Sequence, residues 1–184
     1  MTASPEEATA TVEPQVEPQR VLIPSAIGNL GIELTGHLVT HVVIVPKGRE
    51  RKLYAPFIDL KRGERSEFLD EVLGRFSEYL AGARRNLALD YELETTGLTG
   101  FDRRVLKQTA KVPYGATRTY QQIASAAGRP TAYRQVLAVL QSNPLPLVVP
   151  CHRVVTAKSG PGSYVAGISK KLWLLKMEQR GLTV

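Results

Sequence analysis

Cys151 is the single cysteine of the chain, and His152 follows it directly in Pro150-Cys151-His152-Arg153-Val154-Val155, after the apolar run Leu145 to Val149. An imidazole beside a thiol can take its proton and leave the more reactive thiolate. A lone cysteine is also at home in a core, as a small inert hydrophobe. A third group bears on the choice. Glu178 follows Leu175 by three residues and Leu174 by four, in a helical stretch that also holds Leu172, Trp173 and Met177. Helical spacing puts Glu178 on the side of Leu174 and Leu175 and predicts that it is partly buried. There it either pairs with Lys171 or Arg180 at the helix end, or orients a histidine that activates a thiol. Cys151, His152 and Glu178 are the parts of the second arrangement.

The elements that must position these groups are mostly helical. Phe101 to Thr109 reads as a helix, broken by Lys111 to Gly115. Thr119 and Gln122 fit a capping box that opens a short helix, which Gly128-Arg129-Pro130 stops. Thr131 is placed to cap a second helix, Ala132 to Ser142, ended by Asn143-Pro144. Two short helices around a tight turn have the form of a helix-turn-helix. Ser169 to Arg180 is the last helix, closed by Gly181.

The first half has a different texture. Val21 to Ile23, Leu30 to Leu34 and Leu38 to Val45 are β-branched runs broken at Gly28-Asn29 and Gly36-His37, which predicts an antiparallel meander. His37 and His41 fall there as turn or surface residues rather than ligands. Residues 66–81 are helical, with Ser66 as N-cap and Phe68, Leu69, Val72, Leu73, Phe76, Tyr79 and Leu80 at three- and four-residue spacing. Leu87 to Leu93 alternates like one more strand. The division predicted is an α/β domain over 20–97 and a mostly helical domain over 98–184 that holds Cys151. Residues 1–19 have almost no large apolar side chain and read as a disordered tail.

Charge follows the same division. Of the formal +7, residues 1–19 carry −4, residues 20–100 balance, and residues 101–184 set 13 Lys and Arg against Asp102 and Glu178. A basic half of this kind is the footprint of a polyanion binder, most often a nucleic-acid binder. One cysteine excludes an internal disulfide and a cysteine-rich zinc site, and fits a reducing compartment. The sequence has neither a membrane-length apolar run nor a secretory signal, so the expectation is a cytoplasmic protein without membrane association.

Taken in order, these residues resemble a known family. Tyr120 to Ala124, Arg134, Asn143-Pro144, Pro150 to Val155, Gly167 and Trp173 to Glu178, with Ser25 to Gly28 and Phe76 to Gly82 before them, are similar to the O6-alkylguanine-DNA alkyltransferases. The likeness runs from Arg20 to the end. It implies a ribonuclease-H-like α/β part followed by a mostly α, winged-helix-like helix-turn-helix part. It also implies an activity: an O6-alkylguanine in double-stranded DNA is flipped out, and its alkyl group passes irreversibly to Cys151. O4-methylthymine is expected as a further substrate, the protein as a monomer, and neither cofactor nor metal is expected.

The resemblance assigns roles residue by residue. Cys151 is the acceptor, activated by His152 through a water and held by Glu178. Tyr120 contacts the guanine and helps rotate the nucleotide. Arg134, on the second helix of the helix-turn-helix, is the finger that fills the vacated stack. Thr131, Tyr133 and Gln135 line the DNA beside it. Asn143 is the hinge between that helix and the cysteine loop. Backbone groups of Cys151, Val154 and Val165 read the guanine edge, Tyr164 is a further substrate-binding residue, and Lys171 stands where the family has a lysine. Gln135 and Leu137 replace small residues of the family pattern and are expected to limit insertion into the minor groove. Ala166 is expected to narrow the pocket. A lesion binder that does not react, a regulator switched by alkylation of Cys151, and a thiol hydrolase are the alternatives. The presence of Cys151 argues against the first, the lack of room for a sensing domain against the second, and the basic helix-turn-helix against the third.

Overall fold

The computed structural model describes residues 17–45, 65–93, 97–157 and 160–181. Residues 1–16, most of the predicted tail, lie outside the described residues, and the first strand already begins at Gln19. Strands β1 (Gln19–Ser25), β2 (Gly28–Thr35) and β3 (Leu38–Val45) form an antiparallel sheet in that order. The first reversal falls at Ala26-Ile27, two residues before the expected break, and the second at Gly36-His37. Gly28 opens β2 with φ +119, and a Cβ there would come within 2.6 Å of the Val45 carbonyl oxygen, so only glycine fits. His37 and His41 are exposed.

Helix α1 (Glu67–Leu80) starts where the sequence places it, with the Ser66 hydroxyl accepting from Leu69 N. Its buried face, Leu69, Val72, Leu73, Phe76, Tyr79 and Leu80, belongs to one apolar cluster with Val21, Leu30, Ile32, Val39 and Val42 of the sheet. The predicted strand over Leu87 to Leu93 is not formed. Leu87, Leu89 and Leu93 are buried in alternation, but Ala88 has φ +47, and one isolated bridge joins Tyr91 to Val39. The Arg75 guanidinium takes the Leu87 and Ala88 carbonyls, which a strand would need for its ladder. The alternation reports one-sided burial, not pairing.

Helix α2 (Gly100–Ala110) begins with a capping box between Thr99 and Asp102. The short strand β4 (Arg118–Thr119) leads into α3 (Tyr120–Ala126), and the predicted Thr119–Gln122 capping box is present on both sides. Helix α4 (Tyr133–Gln141) departs from expectation at its start. Its N-cap is Ala132, without a side-chain cap bond, and Thr131 is exposed outside the helix. After the Asn143-Pro144 turn the chain makes a 3-10 turn at Cys151–Arg153, then β5 (Val154–Val155), and ends in α5 (Ile168–Arg180).

Two links fix the position of the cysteine turn. Strand β5 pairs in parallel with β4, Arg118 opposite Val154 and Thr119 opposite Val155, so the turn is joined to the start of α3. The sheet reaches the same region from the other side, where Val42 N donates to the Pro144 carbonyl at 2.8 Å.

Candidate functional site

Cys151 opens the 3-10 turn and is 2% exposed. Its sulfur accepts from the Asn143 amide nitrogen at 3.2 Å, and the same nitrogen donates to the Val149 carbonyl at 2.9 Å. The Asn143 carbonyl oxygen accepts from Leu145 N at 3.1 Å. An asparagine before proline therefore does what its type predicts: it satisfies the backbone of its own turn. Here it also carries the end of α4 to the sulfur.

His152 is fully buried, with Nε2 2.8 Å from Glu178 Oε1. Bonding to a carboxylate places the proton on Nε2 and leaves Nδ1 as the free base. Nδ1 makes no hydrogen bond among the described residues. Glu178 is the hub of the site. Its Oε1 accepts from the Tyr79 hydroxyl and from Arg153 Nη2 at 2.9 Å, and Oε2 accepts from Gly115 N at 2.9 Å. Arg153 Nε adds bonds of 3.0 and 3.1 Å to the two oxygens, while Arg153 Nη1 donates to the Val112 carbonyl at 2.6 Å. Glu178 is thus wholly rather than partly buried, and its partners are His152 and Arg153, not Lys171 or Arg180.

Charge in this buried site is tightly controlled. Burial alone would raise the Glu178 pKa, but its bonds to His152 and Arg153 bring it down to about 2, so it is an anion. Burial lowers the His152 pKa, against the pull of Glu178, so the imidazole is neutral. Burial pushes the Cys151 thiol up to about 11, with the Asn143 amide and the Lys171 charge pulling the other way. Burial therefore favours the protonated thiol in this closed site. An anion 2% exposed has lost its hydration, and the Asn143 amide, the Lys171 charge and the backbone N–H groups of Cys151 and His152 do not replace it in full.

Lys171 lies on the inner face of α5 with Leu174 and Glu178. Its ammonium donates to the Val154 and Ser163 carbonyls, and burial lowers its pKa to about 8. Tyr120, at the first position of α3, is buried, with its hydroxyl 3.3 Å from the Ser163 carbonyl, which accepts. Gly162 packs under that ring with φ +64, and a Cβ there would meet the Tyr120 oxygen at 2.6 Å. Tyr164 is buried with a hydroxyl unpartnered among the described residues, its ring edge-on to His152 at 6.2 Å between centroids. Val154 is buried and Val165 exposed.

The site residues expected from sequence therefore form two groups. Cys151, His152, Glu178, Asn143, Tyr120, Val154, Tyr164 and Lys171 gather around the cysteine turn. Thr131, Tyr133, Arg134 and Gln135 are exposed together along the start of α4, around a cleft of about 570 Å³ that Arg129 also lines. Arg134 rests its guanidinium 5.7 Å from the Tyr133 ring centroid. Sequence reasoning missed Tyr79, Gly115 and Arg153 as partners of Glu178. Only Arg153 left a trace, as a charged residue inside the apolar stretch Val148 to Val155.

Comparison with known proteins locates this geometry. A family model described as the 6-O-methylguanine DNA methyltransferase DNA binding domain matches residues 100–180. The methylated-DNA–protein-cysteine methyltransferase of Methanosarcina barkeri is 35% identical over 74% of this chain and 82% of its own length. A probable methylated-DNA–protein-cysteine methyltransferase of Acanthamoeba polyphaga mimivirus is 48% identical over 50% of this chain, which spans 59% of that relative. Among solved structures, the Mycobacterium tuberculosis OGT in complex with DNA superposes with a TM-score of 0.75 at 28% identity, over 89% of this chain and 94% of that one.

Proposed function

Since this chain belongs to the methylated-DNA–protein-cysteine methyltransferases, we propose that it repairs alkylated DNA directly, taking the O6-alkyl group of a guanine onto Cys151 and ending its own activity in doing so. The observation that carries this reading is the sulfur itself. It is held by Asn143 in a buried turn, beside a histidine whose far nitrogen is fixed by an ionised carboxylate.

The reaction is an in-line displacement. A bond forms between Cys151 Sγ and the alkyl carbon as the bond from that carbon to guanine O6 breaks. The thiol proton leaves through a water to His152 Nδ1, the nitrogen without a partner among the described residues. The guanine leaves as an anion, which the Tyr120 hydroxyl meets with a hydrogen bond before the base recovers a proton. The raised thiol pKa then has a use. The sulfur stays protonated and unreactive until the base, entering the pocket, makes proton removal and displacement one event. Val154, Tyr164 and Val165 enclose the base, and Lys171 holds the Val154 and Ser163 carbonyls around it.

Double-stranded DNA lies along the exposed start of α4, with Arg134 as the finger that replaces the extruded nucleotide, and Thr131, Tyr133 and Gln135 beside it. On this reading the protein acts as a monomer. The same reading takes 20–97 as a ribonuclease-H-like domain and 98–184 as a winged-helix-like domain, supported by the meander with α1 and by the β4–β5 pair beside α3 and α4. It also places the protein in the cytoplasm, where a free thiol stays reduced.

Intact mass after incubation with duplex DNA bearing O6-methylguanine tests this. The expected result is a gain of one methylene on Cys151, absent from Cys151→Ala. Tight lesion binding with no mass change would make the protein a lesion binder instead.

A further inference from the structure

Tyr79 stands on α1, far from the cysteine turn in sequence, at the end of an apolar stripe where phenylalanine would pack as well. Yet its hydroxyl donates to Glu178 Oε1, lies 3.3 Å from His152 Nε2, and receives a bond from Arg153 Nη2 at 3.3 Å. Among the described residues a buried hydroxyl is not always satisfied, since those of Tyr114 and Tyr164 have no partner there. The Tyr79 hydroxyl touches the acid, the base and the cation of one relay.

We infer that Tyr79 is a positioning residue for alkyl transfer, whose hydroxyl fixes Glu178 Oε1 between Arg153 and His152 and limits the negative charge felt by the imidazole. The inference rests on the reading above, in which His152 takes the thiol proton. A carboxylate oxygen shared among several donors is a weaker acceptor for each of them. Without the tyrosine, Oε1 turns more of its charge toward His152 and stabilises the imidazolium. A protonated His152 cannot accept a proton from Cys151, so Tyr79 keeps the base available. The other groups facing this pair are fixed in kind. They are Arg153 and Cys151 from the turn, Lys171 from α5, Tyr164 from the loop before it, and Tyr114 with Arg85 behind Glu178 and Arg153. None of them substitutes for a neutral donor to Oε1.

The test uses the full chain carrying Tyr79→Phe. Single-turnover transfer from duplex O6-methylguanine DNA at saturating protein is followed across the acid and neutral range, with lesion-DNA affinity measured alongside. The acidic limb of the rate should move to higher pH by about one unit, with up to about a tenfold loss of rate on that limb. Affinity for lesion DNA should stay as it is in the parent protein. Val72→Ala, a cavity in the same helix with no bond to Glu178, should lower stability and leave the limb in place. A Tyr79→Phe protein with the parental rate and limb overturns the inference, as does a loss confined to DNA affinity. If the parent protein itself acquires no alkyl group, the underlying reading has failed rather than the role of Tyr79.

Discussion

Asn143 and Cys151 form one unit: the asparagine amide that holds the sulfur at 3.2 Å also closes the backbone turn which presents it, through Val149 O and Leu145 N. Removing that side chain therefore acts twice. Asn143→Ala should push the thiol pKa further up, because the amide is the strongest influence holding it down. It should also cost about 2–3 kcal/mol of stability by stranding buried backbone groups. Thiolate absorbance against pH and denaturant unfolding read the two effects separately.

The resting thiol should be quiet toward small electrophiles. With burial holding its pKa near 11, reaction of the folded protein with iodoacetamide should be slow at neutral pH and rise about tenfold per pH unit. Unfolding in denaturant should remove the suppression at once. A folded protein as reactive as a free cysteine would contradict the closed site.

Glu178 contributes stability that acid removes. Its pKa falls from an ordinary 4.5 to about 2 on folding, so the contribution is complete above 4.5 and disappears as pH falls toward 2. Glu178→Gln should lose that acid dependence. It should also be destabilised by about 3–5 kcal/mol at neutral pH, because Arg153 then stays buried without its counter-charge. Urea unfolding at several pH values measures both.

Arg134 and Gly162 separate docking from chemistry. Arg134→Ala should slow repair in duplex DNA far more than reaction with free O6-benzylguanine, and equal losses would remove the finger role. Gly162→Ala should slow both substrates, because its Cβ would collide with the Tyr120 oxygen at a backbone φ of +64. The strained backbone should add about 1–3 kcal/mol of destabilisation. Rates on the two substrates, taken for both variants, decide the matter.

Local rules made much of this legible. The Thr119–Gln122 box, the Ser66 cap and the meander follow from neighbours a few residues apart; both caps formed as predicted, and the meander formed with its first turn at Ala26-Ile27 rather than Gly28-Asn29. The strand expected at Leu87 to Leu93 failed because alternation records burial, and Arg75 removed two carbonyls from pairing. Helix α5 follows no such local rule. Ile168, Leu172 and Trp173 point outward while Lys171 and Glu178 are buried, an inversion of the usual pattern. Its cause is the set of donors and carbonyls waiting on other elements. Tyr79, which lies 99 residues from Glu178, left no local signal.

The parallel pairing of Arg118 with Val154 and Thr119 with Val155 has a mechanical consequence. The strand that leaves the cysteine turn is hydrogen-bonded to the strand that launches α3, the first helix of the helix-turn-helix. With Val42 bonded to the preceding turn from the sheet, the cysteine turn is tied at two places. On the proposed reading, the approach is then left to the nucleotide. Lesions in loosely stacked or mispaired surroundings would be reached soonest, with the timing set by the elasticity of the duplex rather than of the protein.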